Sequence, residues 1–274
     1  MSGPEPAQAW WARSEAHVAV PDTSEVGGGA LYDEIGVGYG STRRPDPRVQ
    51  RRLHQHLGGA SRVLNAGAGA GSYEPEDRAV VAVEPSWAMI GQRRAGSAPV
   101  VRGVAEHLPF ADEAFDGSMA VLTVHHWPDP IAGLEELRRV TSGPIVVLTF
   151  DTEVHAQQWL VAEYLPSMAD LDRANPSAAT IADVLGGGVV EVLPVPHDCV
   201  DGFCHAWWRR PRAYLDPVVR AGISGIARLP GDDVSHAMAR LAQDLASGAW
   251  HDAHAGLLDV DEIDAGYRIV AVPR

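Results

Sequence analysis

Val63-Leu64-Asn65-Ala66-Gly67-Ala68-Gly69-Ala70-Gly71 decides the reading of this chain. Two branched apolar residues lead into Asn65, and glycines then recur at every second position. This is the pattern of a short buried strand that runs straight into a sharp turn. Glycine permits the positive φ such a turn needs and lets backbone come close to a bound molecule. Further on, Ala79-Val80-Val81-Ala82-Val83-Glu84 is an unbroken apolar run closed by an acid. Strand, glycine loop, helix, second strand and terminal acid form a nucleotide-type unit. Its acid stands where ribose hydroxyls are held.

Working outward, Val49, Leu53 and Leu57 recur every four residues and predict a helix over 47–57, ended by Gly58-Gly59. Pro85 and Ser86 open a helix expected to run to Arg94. Short strands are expected at Val100-Val101 and over 116–124, a helix over 130–140 and a strand over 144–150. The apolar run of that last strand implies cover on both faces. Alternating β and α over the first 150 residues predicts an α/β fold, Rossmann-like and doubly wound. Beyond it, helices are expected over 157–165, 177–185 and 235–247, and strands over 188–195 and 267–272. The expected fold is a mostly parallel seven-stranded sheet with an inserted helical cap. The whole chain, 1–274, is read as one domain. Residues 1–46 are a tail and cofactor-closing segment, 47–155 the binding core, and 196–263 a substrate cap between the last two strands. The cap shows too little apolar periodicity for a core of its own.

Composition limits the partners. The chain carries 22 basic against 36 acidic side chains, a formal charge of −14. Phosphate-rich partners are repelled by such a balance, so no nucleic acid and no membrane surface is expected. No apolar run approaches the roughly 18 residues of a membrane span, and no basic leader precedes an apolar stretch. Cys199 and Cys204 make no disulfide framework. These features together predict a cytoplasmic protein. His197, Cys199, Cys204 and His205, and the pair His251 and His254, match no standard zinc spacing, so no metal is expected.

The glycine spacing narrows the cofactor. A dinucleotide fingerprint requires G-x-G-x-x-G, but counting from Gly67 the sixth position is Ser72. There is also no P-loop lysine. A nucleoside ligand without phosphates fits better, and S-adenosylmethionine is one.

At this point the chain resembles the class I S-adenosylmethionine-dependent methyltransferases of the ubiquinone/menaquinone-methyltransferase-like type. Val63 to Gly69 is similar to the first motif. Val83-Glu84-Pro85-Ser86 with Met89-Ile90 is similar to the second. Gly103-Val104-Ala105-Glu106-His107-Leu108-Pro109-Phe110 with Phe115-Asp116 is similar to the third, and Val124-His125-His126-Trp127 before Pro128-Asp129-Pro130 to the segment after strand four. The resemblance implies cofactor contacts from Asn65, Ala66, Gly67, Ala68, Gly69, Glu84, Pro85, Ser86, Met89, Val104, Ala105, Glu106 and Ala120. It also implies a closing segment in which Tyr39 and Arg43 reach the cofactor, with Arg43 or Arg44 pairing with the cofactor's carboxylate. Two positions depart from the family pattern. Asn65 stands where Asp is usual, and Val104 where Asp often meets the adenine amine.

Methyl transfer from S-adenosylmethionine is an in-line displacement that leaves S-adenosylhomocysteine. The protein supplies alignment and dryness, with a base only if the acceptor must lose a proton. His125 and Asp151, at the carboxyl edge of the expected sheet, are the candidate bases. His126, His197 and Trp207 are the candidate acceptor-pocket residues. The expected reaction is methylation of O, N or C on a small molecule. Two other readings stay open: a cofactor-binding enzyme that does not methylate (a cyclase or decarboxylase), and a catalytically inactive ligand-binding member. An NAD oxidoreductase is opposed by the glycine spacing.

Overall fold

A computed structural model describes residues 43–274. Helix α1 (Pro47–His56) starts at Asp46, whose side chain accepts from the Arg48 N–H, with Pro47 in the first turn. β1 (Arg62–Ala66) and β2 (Ala79–Glu84) follow. The expected helix between them is not formed; residues 67–78 make turns. Three glycines and Pro75 penalise helix there, and Tyr73 itself takes a left-handed φ of 66°. The helix after β2 is one turn, α2 (Trp87–Ile90), capped by Ser86.

Next come β3 (Val100–Arg102), β4 (Gly117–Val121), α3 (Pro130–Arg139) and β5 (Ile145–Phe150). The segment after β5 breaks into α4 (Thr152–Gln157), a π turn at Leu160–Tyr164, and α5 (Ser167–Asp172) after Pro166. α6 (Ala178–Val184) and β6 (Val189–Val192) lead to a two-residue β7 (Val195–Pro196). The insertion then holds α7 (Pro217–Ala221), α8 (Ser224–Ala227), α9 (Gly231–Ser247) and α10 (Ala249–Ala253). β8 (Glu262–Ile263) pairs antiparallel with β7, so the two ends of 196–263 meet in a neck. β9 (Tyr267–Val272) closes the fold.

The main sheet has seven strands in the order β3-β2-β1-β4-β5-β9-β6. Strands β1 to β5 are parallel, and β9 enters antiparallel between β5 and β6. Strand order reverses between β1 and β4, where open α/β sheets bind ligands beyond the carboxyl ends. Alternating side chains fill opposite faces. Val63, Met119, Val146 and Ile269 pack under α1, while Leu64, Ala120, Val147 and Val270 pack against α3 and α6.

A third core corrects the expectation that the cap has none. Trp159, Leu160, Tyr164 and Met168 from before β6 join Tyr214, Ile226, Leu241, Leu245 and Trp250 from the insertion. The missing apolar periodicity is supplied from outside the interval 196–263, so the cap's packing unit is larger than the insertion. No helix among the described residues is long and apolar enough to cross a membrane.

Candidate active site

Two cavities meet at the carboxyl edge of the sheet. The first encloses about 870 Å³. Its wall includes Arg43, Asn65, Gly67, Ala68, Gly69, Glu84, Pro85, Met89, Val104, Ala105 and Glu106. All were expected from sequence to meet the cofactor. Ala66, Ser86 and Ala120, also expected there, are fully buried and lie outside this wall. Ala66 and Ala120 face the α3 side of the sheet. Ser86 turns inward to cap α2. Tyr39 lies outside the described residues. The wall further contains Ala70, Ser72, Val121, Leu122, Thr123, His126, Trp127 and Pro128. The last four continue the motif after strand four, so the signal was present but was read for chemistry and not for shape.

Backbone geometry explains the loop. Gly67 has φ 67°, and a Cβ there would overlap the Thr123 hydroxyl. Loop and β4 end are thus in contact across the switch point. Glu84 is tied at both oxygens: Oε2 accepts from the Gly69 N–H at 2.8 Å and Oε1 from the Ser86 N–H at 2.9 Å. Two such bonds fix the direction of the carboxylate at the cavity wall.

The departure at Asn65 has a local cause. Its Nδ2 donates to Glu74 Oε1 at 3.0 Å, and Glu74 pairs with buried Arg93 at 2.8 Å. Aspartate at 65 would set two carboxylates against each other, which is destabilising at this depth. At the other departure, Glu106 joins Val104 in the wall, and its Oε1 accepts from the Asp129 N–H at 3.2 Å.

Arg43 lines both cavities. Its Nε donates to Asp201 Oδ1 at 2.6 Å, and the other Asp201 oxygen accepts from Tyr73 at 2.7 Å. The expected partner was the cofactor carboxylate; the cap residue Asp201 holds the guanidinium in place at the junction of the cavities.

The second cavity, about 530 Å³, lies beneath the cap. Its wall combines apolar Phe150, Met168, Phe203, Ile223 and Tyr267 with His125, His155, Asp172, Cys204 and Arg228. Leu122 lines both cavities and has φ 51°. A branched residue held in that region stores about 1–3 kcal/mol of strain, a feature that clusters at functional sites.

Adjacent histidines divide between the cavities: His126 faces the first and His125 the second. Their rings lie 3.9 Å apart. Burial, with Arg228 nearby, pushes His126 down to about 3. Burial, with His126 beside it, holds His125 well below its ordinary value. His125 Nδ1 is buried with no hydrogen-bond partner among the described residues. Both rings are therefore neutral near pH 7, and His125 borders the second cavity with Nδ1 buried.

The remaining expected residues are elsewhere. Asp151 caps α4 by accepting from the Glu153 and Val154 N–H groups and lies 3.6 Å from Arg268. It lines neither cavity. His197 sits at the insertion neck, bonded to the Asp261 carbonyl at 3.2 Å. Trp207 lies under the Arg210 guanidinium, 4.2 Å from its ring centre, and packs between the main and cap cores. His155, Asp172 and Arg228 were missed because the cap brings them to the cavity over long sequence separations.

Comparison with known proteins fits this geometry. A family profile described as a methyltransferase domain matches residues 64–144. A demethylmenaquinone methyltransferase of Renibacterium salmoninarum is 33% identical over 169 residues, covering 54% of this chain and 71% of that protein. One from Mycobacterium sp. (strain KMS) is 38% identical over 133 residues, covering 44% of this chain. The chain spans 58% of the length of that curated relative. A solved structure from Anabaena variabilis, described as a candidate methyltransferase from an antibiotic biosynthesis pathway, has 31% identity and a TM-score of 0.80. The match covers 85% of this chain and 99% of that one. Fold and site thus define a Rossmann-like nucleoside-binding protein with a capped second cavity. The chain belongs to the S-adenosylmethionine-dependent methyltransferase family.

Proposed function

We propose that the protein, acting as one capped domain, methylates a small aromatic or polycyclic acceptor held in the second cavity. The observation that carries this reading is the shared wall: Arg43 and Leu122 border both cavities, and His126 and His125 face one each. S-adenosylmethionine, when bound, supplies an activated sulfonium methyl group. Glu84 accepts from the ribose hydroxyls, the Gly67–Gly69 backbone lies against the nucleoside, and Met89 and Val104 flank the base. Phe150, Phe203 and Tyr267 hold the acceptor ring and exclude water, so alignment supplies most of the rate. His125 accepts the acceptor's hydroxyl proton at Nδ1, as a neutral imidazole can. A quinol-type ring, as in the names of the curated relatives, is the first acceptor to test. A charge of −14 and a recessed cavity beneath the cap both favour a small molecule over nucleic acid.

The test incubates the protein with S-adenosylmethionine and a panel of naphthols, naphthoquinols and their carboxylated forms. S-adenosylhomocysteine and a product heavier by one methyl group are expected together. Acceptor conversion without S-adenosylhomocysteine would replace the reading with a non-methylating one. Absence of cofactor binding by calorimetry would sink both. His125→Ala is expected to lower kcat at least tenfold with cofactor affinity unchanged; unaltered kcat would leave alignment alone as the mechanism.

A further inference from the structure

One group of side chains at the second cavity has no part in methyl transfer. His155, Cys204 and His205 each offer a donor atom, and the three atoms lie within 4.8 Å of one another. His155 comes from α4, and the other two from a 3-10 turn (Cys204–Trp207) in the insertion. His155 and His205 are 3% and 1% exposed. His155 Nδ1 and His205 Nε2 are 2.9 Å apart. The other His155 nitrogen, Nε2, is buried without a hydrogen bond among the described residues. Asp172 Oδ2 stands 3.4 Å from it.

We propose that His155 Nδ1, His205 Nε2 and Cys204 Sγ form a binding site for a zinc-type divalent cation at the wall of the acceptor cavity. Two imidazoles and a thiolate are the donor set that borderline-soft cations select. With metal–nitrogen bonds of about 2.0–2.1 Å, ligand nitrogens in a tetrahedron sit roughly 3.3 Å apart. The two imidazole nitrogens therefore need to separate by only a few tenths of an ångström. Asp172 completes the arrangement. A metal on Nδ1 places the proton of His155 on Nε2, facing the carboxylate, which orients the ring and raises its basicity. Three protein ligands leave a fourth position, and since His155 and Cys204 line the cavity, that position opens into it. Binding releases the Cys204 thiol proton to solvent, and no oxidation or reduction is involved.

Untagged full-length protein, stripped with chelator, is titrated with zinc by calorimetry and with cobalt by absorbance. The expected result is one tight equivalent and a thiolate-to-cobalt charge-transfer band. Cys204→Ser is expected to abolish the band and weaken zinc by at least a hundredfold. Asp172→Asn is expected to weaken it 10–100-fold with unchanged stoichiometry, and His236→Ala, at an exposed histidine, to change nothing. A measurement on the unaltered chain guards against misfolded variants. Cys199 is fully buried and Cys204 partly exposed, so the thiol alkylated first reports on Cys204. One equivalent of zinc is expected to slow alkylation under partly denaturing conditions, where the thiol is reached, at least tenfold. No tight equivalent, or tight binding that neither slows alkylation nor responds to Cys204→Ser, overturns the proposal. None of these readouts requires methyl transfer, so failure of the proposed function leaves this test intact.

Discussion

At the residue scale, Glu84 and Asp172 are two buried carboxylates with different support. Glu84 accepts two backbone N–H groups across the loop it faces. Glu84→Ala is expected to weaken S-adenosylmethionine binding by about 1.5–3 kcal/mol, the worth of a charge-assisted bond. Isothermal titration of the folded variant checks this, and unchanged affinity would remove the ribose assignment. Asp172 accepts only a 3.3 Å bond from Asn175, and burial raises it from 3.8 to about 6. A carboxyl group whose folded value is raised carries no penalty below its unfolded value. The penalty grows as pH rises through the interval and is complete above about 6. In metal-free protein Asp172→Asn is thus expected to raise stability at pH 7.5 by about 2–3 kcal/mol, with the gain gone below pH 4. Denaturant melts at the two pH values read it directly. At this scale the sequence was most informative along contiguous motifs. Eleven expected cofactor residues line the first cavity, because strand ends and loops present neighbours together. It was silent on His155 and Asp172, whose positions depend on tertiary packing alone.

At the element scale, the unit from β1 to β2 works without the helix that the spacing suggested. Its rigidity comes from the Glu84 bonds, from the Asn65–Glu74–Arg93 chain, and from the contact of Gly67 with Thr123. The position of Gly67 combines positive φ with a missing Cβ. Gly67→Ala is expected to destabilise the protein by at least 1–3 kcal/mol and to reduce cofactor affinity more than tenfold. Thermal melts with and without S-adenosylhomocysteine separate the two effects. A variant with normal ligand-induced stabilisation would show that the loop can shift. Strand limits were legible to within a few residues because their apolar runs are strong, and β2 and β9 match to the residue. The helix over 157–165 was not, because Pro166 and the π turn break its period.

At the scale of the whole molecule, the described residues form a sheet with two faces plus a third core that roofs the second cavity. Trp250 is 1% exposed in that third core and meets Trp159 edge-on at 5.2 Å. Trp250→Ala is expected to cost about 3–5 kcal/mol. The first cavity takes no residue from beyond Pro128, so cofactor affinity at low temperature is expected to persist in the variant. Loss of both together would mean that roof and sheet stand or fall as one unit. The cap was legible as an interval but not as a packing unit, since six of the fifteen buried residues of its core precede β6.

The position of β9 also sets an order of events during synthesis. Among the described residues it is the last strand, yet it lies between β5 and β6 and is the only main-sheet partner of β6. A nascent chain that has delivered β5 therefore carries an open, largely apolar sheet edge while about 120 further residues are translated, roughly 6–25 s at ordinary ribosome speed. Over that interval α4 to α10 must remain tethered to an unfinished sheet, and chaperones that shield extended edges have their one long window to act.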